Sequence, residues 1–462
     1  MLVIISDLHL TDGTSGETIK EGAFRIFRNR LRDLAYDASW RADGKYKPIE
    51  SFDLLLLGDI LDLLRSTRWL AEKEGMPGFA RPWDDPQSRA FIRKVGAINE
   101  TVLQNNAASL NVLKNLNDGR TITLPPATRA GKPAEVDWEP DTPKRTPVEV
   151  RLHYMVGNHD WFYHLPGVDH DQIRRKVVEA MGLSNPATEL FPHEPTESAI
   201  IQNLCTSHNV FVRHGDIFDP YSYEKTAGRD ASSLSDAIVV ELVNRFPAEV
   251  ELRMGNELPQ ACLDGLKELD NVRPMLLVPV WINSLLRRTC NNRNQIKKVE
   301  DIWDELADHF LEIRFVRARD TLSPFDNVDR LALALKFSKG VSLQVISGLM
   351  NWFRSGVDSE AVTYYDFACQ ESAFENRMAQ FIVHGHTHHY ELVPLDSTLV
   401  DGKPFNQMYF NAGTWRPVHE LAKVIPKEEE FMNYHVMSYL TFFKDDERGG
   451  RPFETWSGAL GV

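Results

Sequence analysis

The stretch Gly157-Asn158-His159-Asp160 decides the fold prediction for this sequence. It follows the apolar run His153-Tyr154-Met155-Val156, whose pattern is typical of the end of a buried strand. A carboxamide oxygen and an imidazole therefore stand side by side on a turn just after a strand, where open α/β sheets place their chemistry. Taken alone, the four residues also fit a plain turn in which Asn158 supports a positive φ angle.

Two apolar runs near the start of the chain are also followed by polar residues that can ligate metals. Residues 2–5 lead into Asp7-Leu8-His9, and residues 53–57 lead into Gly58-Asp59. Uninterrupted apolar runs are typical of strands that are buried on both faces of a sheet. Residues 18–36 lie between them with apolar side chains at helical spacing, so this region predicts a strand–helix–strand unit of an α/β fold.

Later apolar runs repeat the arrangement. Residues 200–205 and 210–213 predict a hairpin whose second strand runs into His214-Gly215-Asp216. Residues 381–383 predict another strand, which ends in His384-Gly385-His386-Thr387-His388. A further hairpin is predicted close to the end of the chain.

One long, mostly helical segment interrupts the strand pattern. We therefore predict a catalytic domain formed by residues 1–219 and 381–462, with residues 220–380 as a helical insertion within it. Insertions on α/β scaffolds commonly form caps over a site. Residues 120–148 carry several prolines among charged residues and predict a surface loop.

The composition sets broad limits on function. The chain has 462 residues, of which 42% are hydrophobic and 26% are charged, as in ordinary soluble domains. Its net charge of −14 disfavours a general binder of nucleic acid or of anionic membranes. The four cysteines form no Cys-x-x-Cys pair, which indicates buried thiols of a reduced compartment. With no apparent signal peptide or membrane span, we expect a cytoplasmic protein.

Several residues just after the predicted strands are of types that commonly ligate metals. They are Asp7, His9, Asp59, Asn158, His159, His214, His386 and His388. Carboxylate, imidazole and amide oxygen together suit Mn, Fe or Zn, whereas calcium would prefer more carboxylates and no imidazole. The set is too large for one ion and would suit two ions that share one carboxylate. Each aspartate by itself is more commonly a loop starter or a helix cap.

The motifs also carry a family resemblance. Asp7-x-His9, Gly58-Asp59-x-x-Asp62, Gly157-Asn158-His159-Asp160, His214-Gly215-Asp216 and Gly385-His386-x-His388 appear in the order typical of the calcineurin-like metallophosphoesterase superfamily. The resemblance covers the strand ends of roughly half the chain. It implies an α/β fold in which a two-sheet β-sandwich is flanked by helices. The resemblance assigns no counterpart to the insertion or to the proline-rich loop.

The resemblance also implies roles for these residues. One metal would be held by Asp7, His9 and His388, the other by Asn158, His214 and His386, with Asp59 bridging both. The two ions would be divalent or trivalent, with Mn²⁺ first and Fe or Zn as alternatives, and a hydroxide between them would attack phosphorus. His159 would bind no metal; oriented by Asp62, it would steady the phosphoryl group or protonate the leaving oxygen.

Several functions fit this resemblance. The first is hydrolysis of a phosphoester or phosphoanhydride in a phosphorylated small molecule or nucleotide-type substrate. The motifs Asp7-Leu8-His9-Leu10 and His214-Gly215-Asp216 slightly favour the branch of the UDP-diacylglucosamine pyrophosphatases. A DNA or RNA nuclease of the same superfamily is an alternative that the net charge disfavours. A non-catalytic scaffold is a second alternative, although it predicts gaps in the ligand set, and none is visible.

Three features outside the motifs are candidates for substrate contacts. Arg287 and Arg288 begin a basic stretch that would grip phosphates, or would simply form a solvated helix face. The aliphatic residues 275–286 and 341–353 would line an acyl pocket, or would pack in a core. Residues around Trp69 predict an irregular flap with exposed aromatic side chains, which would close the opposite side of the cleft.

Overall fold

The computed structural model of the protein describes residues 1–135, 144–273, 275–320, 327–338, 364–400, 402–421 and 431–459. The fold is mixed α/β, as predicted, and combines several sheets with many helices. The aliphatic stretch 341–353 lies outside the described residues. Along the described parts of the chain, no helix combines the length and apolar character that a membrane crossing needs.

The strands are numbered in chain order. They are β1 (Leu2–Ile5), β2 (Ser51–Leu57), β3 (Thr123–Leu124), β4 (Thr146–Pro147), β5 (Glu149–Met155), β6 (Val210–Val212), β7 (Val272–Arg273), β8 (Phe381–His384), β9 (Tyr390–Val400), β10 (Lys403–Ala412), β11 (Pro417–Leu421), β12 (Phe431–Phe442) and β13 (Phe453–Ala459).

The helices before the insertion are α1 (Glu21–Ala38), α2 (Arg89–Asn105), α3 (Ala107–Lys114), α4 (Val168–Met181) and α5 (Ala199–Ser207). Those that follow are α6 (Leu234–Ile238), α7 (Arg245–Met254), α8 (Gln260–Leu266), α9 (Val278–Thr289), α10 (Arg293–Glu312), α11 (Arg314–Arg317), α12 (Asn327–Ser338), α13 (Tyr364–Ala368) and α14 (Ser372–Glu375). A π-helical segment, Val239–Asn244, joins α6 to α7.

The larger sheet has seven strands in the order β5-β2-β1-β12-β11-β7, with β13 paired to β12. Strand β2 runs parallel to both β1 and β5, whereas β12 runs antiparallel to β1. The carboxyl ends of β1, β2 and β5 therefore lie at one edge of the sheet. The antiparallel pair β12 and β13 confirms the predicted hairpin near the end of the chain.

The smaller sheet has four strands in the order β6-β8-β10-β9. Strand β8 runs parallel to both of its neighbours, so the turns after β6 and β8 also share an edge. His214 follows β6 and His386 follows β8. Their predicted partners Asn158 and Asp59 follow strands of the larger sheet, so the site requires the two sheets to meet.

The side chains of the central strands alternate between two cores, as the two-residue period of a strand dictates. Val3 of β1 belongs to an apolar cluster that includes Phe27 of α1. The next residue, Ile4, belongs to a second cluster that includes Phe381 of β8. Helices thus cover one face of the larger sheet, and the smaller sheet shares a core with the other face.

The predicted strand at residues 200–205 is wrong, because this segment is part of helix α5. The side chain of Ser198 caps the helix by accepting a hydrogen bond from the backbone N–H of Ile201. Ile201, Leu204 and Cys205 are buried together, which is the spacing of one helix face. A short apolar run fits either element, and here the cap selects the helix.

Two loop predictions also need correction. Trp69 is not an exposed flap residue: its side chain is buried against Phe162, and its indole N–H donates to the carbonyl of Leu63. Within the predicted surface loop 120–148, Leu124 and Val148 are buried in the main core. Residues 136–143 of that loop lie outside the described part.

The segment 220–380 is mostly helical where it is described, and it has an apolar cluster largely of its own. One part of it is not helical, because β7 lies in this segment and extends the larger sheet beside β11. Pro279 does not interrupt the apolar run of 275–286 but lies at the first turn of α9, where its missing N–H costs nothing. Strand β7 places Arg273 next to the strand-end turns.

Candidate metal centre

The turns after the strands adopt an unusual backbone conformation. Asp7, His9, Asp59, His386 and His388 all have φ angles between 44° and 69°. Residues other than glycine rarely adopt this left-handed region, and such strain tends to cluster at functional sites. The strained positions coincide with most of the predicted ligands.

Close packing explains why the motif Gly157-Asn158-His159-Asp160 begins with glycine. A Cβ atom at Gly157 would lie 2.7 Å from Nε2 of His214 and would also meet the carboxylate of Asp59. Both neighbours are predicted ligands, so this backbone forms one wall of the site. Glycine is required because any side chain here would displace them.

The first predicted ligand group is Asp7, His9 and His388, and the structure brings all three together. Nε2 of His9 lies 3.0 Å from Nε2 of His388 and 3.9 Å from Oδ1 of Asp7. Nε2 of His388 lies 3.5 Å from the same oxygen. All three side chains are buried, and Oδ1 of Asp7 has no hydrogen-bond partner among the described residues. Donor atoms here converge on one point.

The second predicted group is Asn158, His214 and His386, and it is also assembled. Oδ1 of Asn158 lies 2.9 Å from Nδ1 of His386 and 3.3 Å from Nε2 of His214. Nδ1 of His214 donates to the carbonyl of Leu57 at 2.9 Å, which directs Nε2 into the site. Nε2 of His386 contacts Oδ2 of Asp219 at 3.1 Å, which directs Nδ1 into the site.

Asp59 lies between the two groups. Its Oδ2 is 3.6 Å from Nε2 of His9 and 3.2 Å from Nε2 of His214. Its Oδ1 accepts a hydrogen bond from the backbone N–H of His159 at 2.7 Å. Burial alone would raise the pKa of Asp59, but the imidazoles of His214 and His159 outweigh burial and hold the pKa far below its ordinary value. The carboxylate is therefore ionised and faces both groups.

Asp62 holds two histidines at once. Its Oδ2 lies 2.9 Å from Nδ1 of His159 and 2.8 Å from Nδ1 of His9. Its Oδ1 accepts from the backbone N–H groups of Leu64 and Arg65. The predicted contact of Asp62 with His159 is present, and the contact with His9 was not predicted. Both imidazoles therefore turn Nε2 away from Asp62.

The carboxylates around His159 favour the protonated form of its imidazole. Burial lowers its pKa, but the carboxylates of Asp62 and Asp59 outweigh burial and raise the pKa to about 10. The ring packs edge-on against that of His9, with 4.6 Å between centroids. A protonated imidazole can donate both a hydrogen bond and a proton.

Six of these residues line a cavity of about 330 Å³: His9, Asp59, Asn158, His159, His386 and His388. The strand-end turns form one side of it, through His9, Asp59 and His159 among others. The segment 220–380 forms much of the other side, through residues that include Val239, Asp270, Arg273, Leu331 and Tyr364. Val239 begins the π-helical segment, a rare conformation that is frequent at functional sites. The insertion thus reaches the predicted centre.

Arg273 is a cavity residue that sequence reasoning missed. Its Nη2 lies 2.6 Å from Nδ1 and 3.2 Å from Nε2 of His388. Asp270, three residues earlier, contacts Nη1 of Arg65 at 2.5 Å and Nη1 of Arg416 at 3.5 Å. A buried cluster of three arginines around one aspartate therefore borders the centre. This arginine cluster could not be predicted from the sequence, because the strand that carries Arg273 has only two residues and is too short to recognise.

Arg287 and Arg288 are not brought to the cavity. Both are exposed in the last turn of α9, and neither belongs to the described residues that line the cavity. The guanidinium of Arg288 lies over the ring of Trp281, 5.5 Å from its centroid. A role of these arginines in phosphate binding remains a prediction that no contact here supports.

Two comparisons with known proteins found no match. No protein-family model matches this chain, and no curated protein matches it. The interpretation of the site therefore depends on its motifs and its geometry.

Proposed function

We propose that this protein is a metal-dependent hydrolase that cleaves a phosphoester or phosphoanhydride bond at a centre of two ions. One observation carries the proposal. The ionised Oδ2 of Asp59 faces His9 at 3.6 Å and His214 at 3.2 Å, so one carboxylate serves two converging ligand groups. Two ions that share a carboxylate are a known clamp for displacement at phosphorus.

The donor atoms fit metal ions. The buried Oδ1 of Asp7 lacks a hydrogen-bond partner among the described residues, and a bound cation would compensate for that loss. Asp7, His9 and His388 would hold one ion, and Asn158, His214 and His386 the other, with Asp59 between them. Imidazole, carboxylate and amide donors suit Mn²⁺, with Fe or Zn as alternatives. When bound, such ions polarise the phosphoryl oxygen and neutralise the charge that develops there.

His159 and Asp62 would complete the reaction. His159 is held by Asp62 at 2.9 Å and lines the cavity, and its carboxylate neighbours favour the protonated form. In that position it would donate a hydrogen bond to the phosphoryl group or a proton to the leaving oxygen. Asp62 would act as a positioning residue, because it keeps the imidazole protonated and oriented.

Arg273 would bind the phosphate of the substrate. Its guanidinium contacts the lone-pair region of His388, so Arg273 and a cation compete for that imidazole. With His388 ligating a cation, the guanidinium would be available to a substrate in the cavity that Arg273 lines. A guanidinium there matches the geometry of phosphate oxygens.

The fold agrees with the proposed family. The smaller sheet shares a core with one face of the larger sheet, and helices cover the other face. This arrangement supports the two-sheet sandwich expected of a calcineurin-like metallophosphoesterase. The complete ligand set argues against a non-catalytic scaffold. A small cavity half covered by the insertion favours a small phosphorylated molecule over a polynucleotide.

A chromogenic phosphoester assay tests the proposal. The purified chain is stripped with a chelator and assayed against a phosphomonoester, a phosphodiester and a nucleoside diphosphate-sugar, with Mn²⁺, Fe²⁺ or Zn²⁺ restored singly. We expect turnover of at least one compound only after metal is restored. Tight binding of two ions without turnover of any compound would support the scaffold instead, and failure to bind metal would exclude the centre.

A further inference from the structure

A second histidine–carboxylate cluster lies outside the cavity just described. His164 ends the short turn Trp161–His164 that follows Asp160, and His193 lies in the loop after α4. Asp230 comes from the segment 220–380, before α6. One candidate ligand atom from each of these three residues lies within 4.8 Å of the other two. Three separate parts of the chain therefore present metal-ligating groups to one point.

The contacts in the cluster lie at or beyond the long limit of hydrogen bonds. Nε2 of His193 lies 3.4 Å from Oδ1 of Asp230, and Nδ1 of His164 lies 4.0 Å from the same oxygen. Hydrogen bonds from N–H to oxygen are about 2.7–3.2 Å long. Donor atoms placed about 2.0–2.2 Å from a tetrahedral zinc ion lie roughly 3.4 Å from each other. The spacing therefore suits atoms that surround a cation.

The burial of its histidines distinguishes this cluster from an ordinary ion pair on the surface. The side chain of His193 is only 3% exposed, and Nδ1 of His164 is buried without a hydrogen-bond partner in the described parts of the chain. The two rings stack with 4.4 Å between centroids. The unpartnered Nδ1 of His164 leaves an imidazole donor atom available, and imidazole is a common ligand of metals.

Glu197 lies beside the cluster without being one of its three converging ligands. Its Oε2 lies 4.0 Å from Nδ1 of His164 and accepts hydrogen bonds from the backbone N–H groups of His193 at 2.7 Å and Glu194 at 3.2 Å. These bonds fix the backbone of the loop that carries His193. The neighbouring Arg229 is occupied elsewhere, with Glu194 at 3.0 Å and Asp216 at 2.7 Å.

We propose that His164, His193 and Asp230 bind a further divalent cation of the zinc class, separate from the hydrolytic centre. Two imidazoles and one carboxylate suit Zn²⁺. The ion would tie the first part of the insertion to the loop that carries Asn158 and His159. None of its three ligands belongs to the described lining of the catalytic cavity, so its role would be structural. The inference does not depend on the hydrolase activity.

Zinc stoichiometry tests this site in the full-length chain. The Asp59→Asn background lacks the shared ligand of the hydrolytic centre. Adding Asp230→Asn removes a ligand whose side chain is 49% exposed, so the fold is preserved. The matched control is Asp446→Asn, because Asp446 is a 57% exposed carboxylate that pairs with Arg41. Zinc equivalents per chain are measured by elemental analysis after gel filtration.

We expect Asp59→Asn and Asp59→Asn/Asp446→Asn to bind one zinc equivalent more than Asp59→Asn/Asp230→Asn. We also expect zinc to raise the melting temperature of the first two variants only. His164→Gln in the same background provides a second removal and should behave like Asp230→Asn. Equal zinc content in all four variants would overturn the inference. Because activity is absent throughout, the result is independent of the proposed hydrolysis.

Discussion

The strand-end turns and the insertion both line the cavity, but they are built in different ways. Asp59 directly follows a buried strand, and its backbone is held in a strained turn with a φ of 54°. Arg273 lies in a two-residue strand at the edge of the sheet, within a segment whose apolar cluster is largely its own. Under the proposed function, the turns would determine the reaction and the insertion would select the substrate.

The largest expected effect tests the strand-end side of this comparison. Asp59→Asn keeps the shape of the side chain but removes the charge that both ligand groups share. We expect turnover to fall below detection and both ions to be lost, as measured by assay and by elemental analysis. Asp53→Asn is the matched control, because Asp53 is a buried carboxylate on the same β2 that pairs with Arg151 and His153.

The Asp53→Asn control should keep its metal content and most of its turnover. If Asp59→Asn retained two ions, the shared-carboxylate arrangement would be wrong. If both variants lost metal alike, the effect would lie in the folding of β2 and not in the centre.

The next effect separates catalysis from metal binding within the turns. We expect His159→Gln to lower kcat about 10²–10⁴-fold, because the protonated imidazole stabilises the transition state. Metal content should stay nearly unchanged, whereas His386→Ala should lose metal first. His153→Gln is the control, since His153 is a buried histidine that contacts Asp53 and not the centre. Loss of metal from His159→Gln would instead make His159 a ligand.

The insertion side of the comparison predicts a smaller effect. Arg273→Gln should raise KM for a phosphoester about 10–100-fold with a smaller change in kcat, because a charge-assisted hydrogen bond contributes about 1.5–3 kcal/mol. Metal affinity should hold or increase, since the guanidinium no longer competes for His388. Arg288→Gln, an exposed arginine outside the described cavity lining, is the control. A larger effect from Arg288→Gln would indicate that the basic stretch contacts the phosphate. It would contradict the assignment of phosphate binding to Arg273.

The smallest effect concerns Asp53, the carboxylate within β2, which lies away from the centre that Asp59 enters after the same strand. Burial raises the pKa of Asp53, but hydrogen bonds from His153 and Arg151 outweigh burial and lower the pKa below its usual value. Its stabilising contribution is therefore present above the unfolded pKa of about 3.9 and is lost as the pH falls below that value. Asp53→Asn should lower the melting temperature by a few degrees near pH 6, and the difference from the wild type should shrink below about pH 4. A difference that stayed constant from pH 6 to pH 3 would show that Asp53 acts through packing.

The sequence by itself predicted the mixed α/β class, most of the strands and the residues at their ends. Runs such as 2–5 and 53–57 are buried on both faces, so their pattern is local and leaves little choice of element. Parallel pairing then brings Asp7, Asp59 and Asn158 to one edge without further information. The residue types of the predicted centre were visible for the same reason.

Only the tertiary structure decided the remaining features. Residues 200–205 became a helix because Ser198 caps it, and Trp69 became buried because Phe162 packs against it. The cluster of Arg65 with Asp270, and that of His193 with Asp230, join residues distant in the chain. Such contacts depend on how separate elements pack, and no local period or spacing records them. For that reason the residues of the strand-end turns could be predicted from the sequence. The residues that the insertion brings to those turns could not.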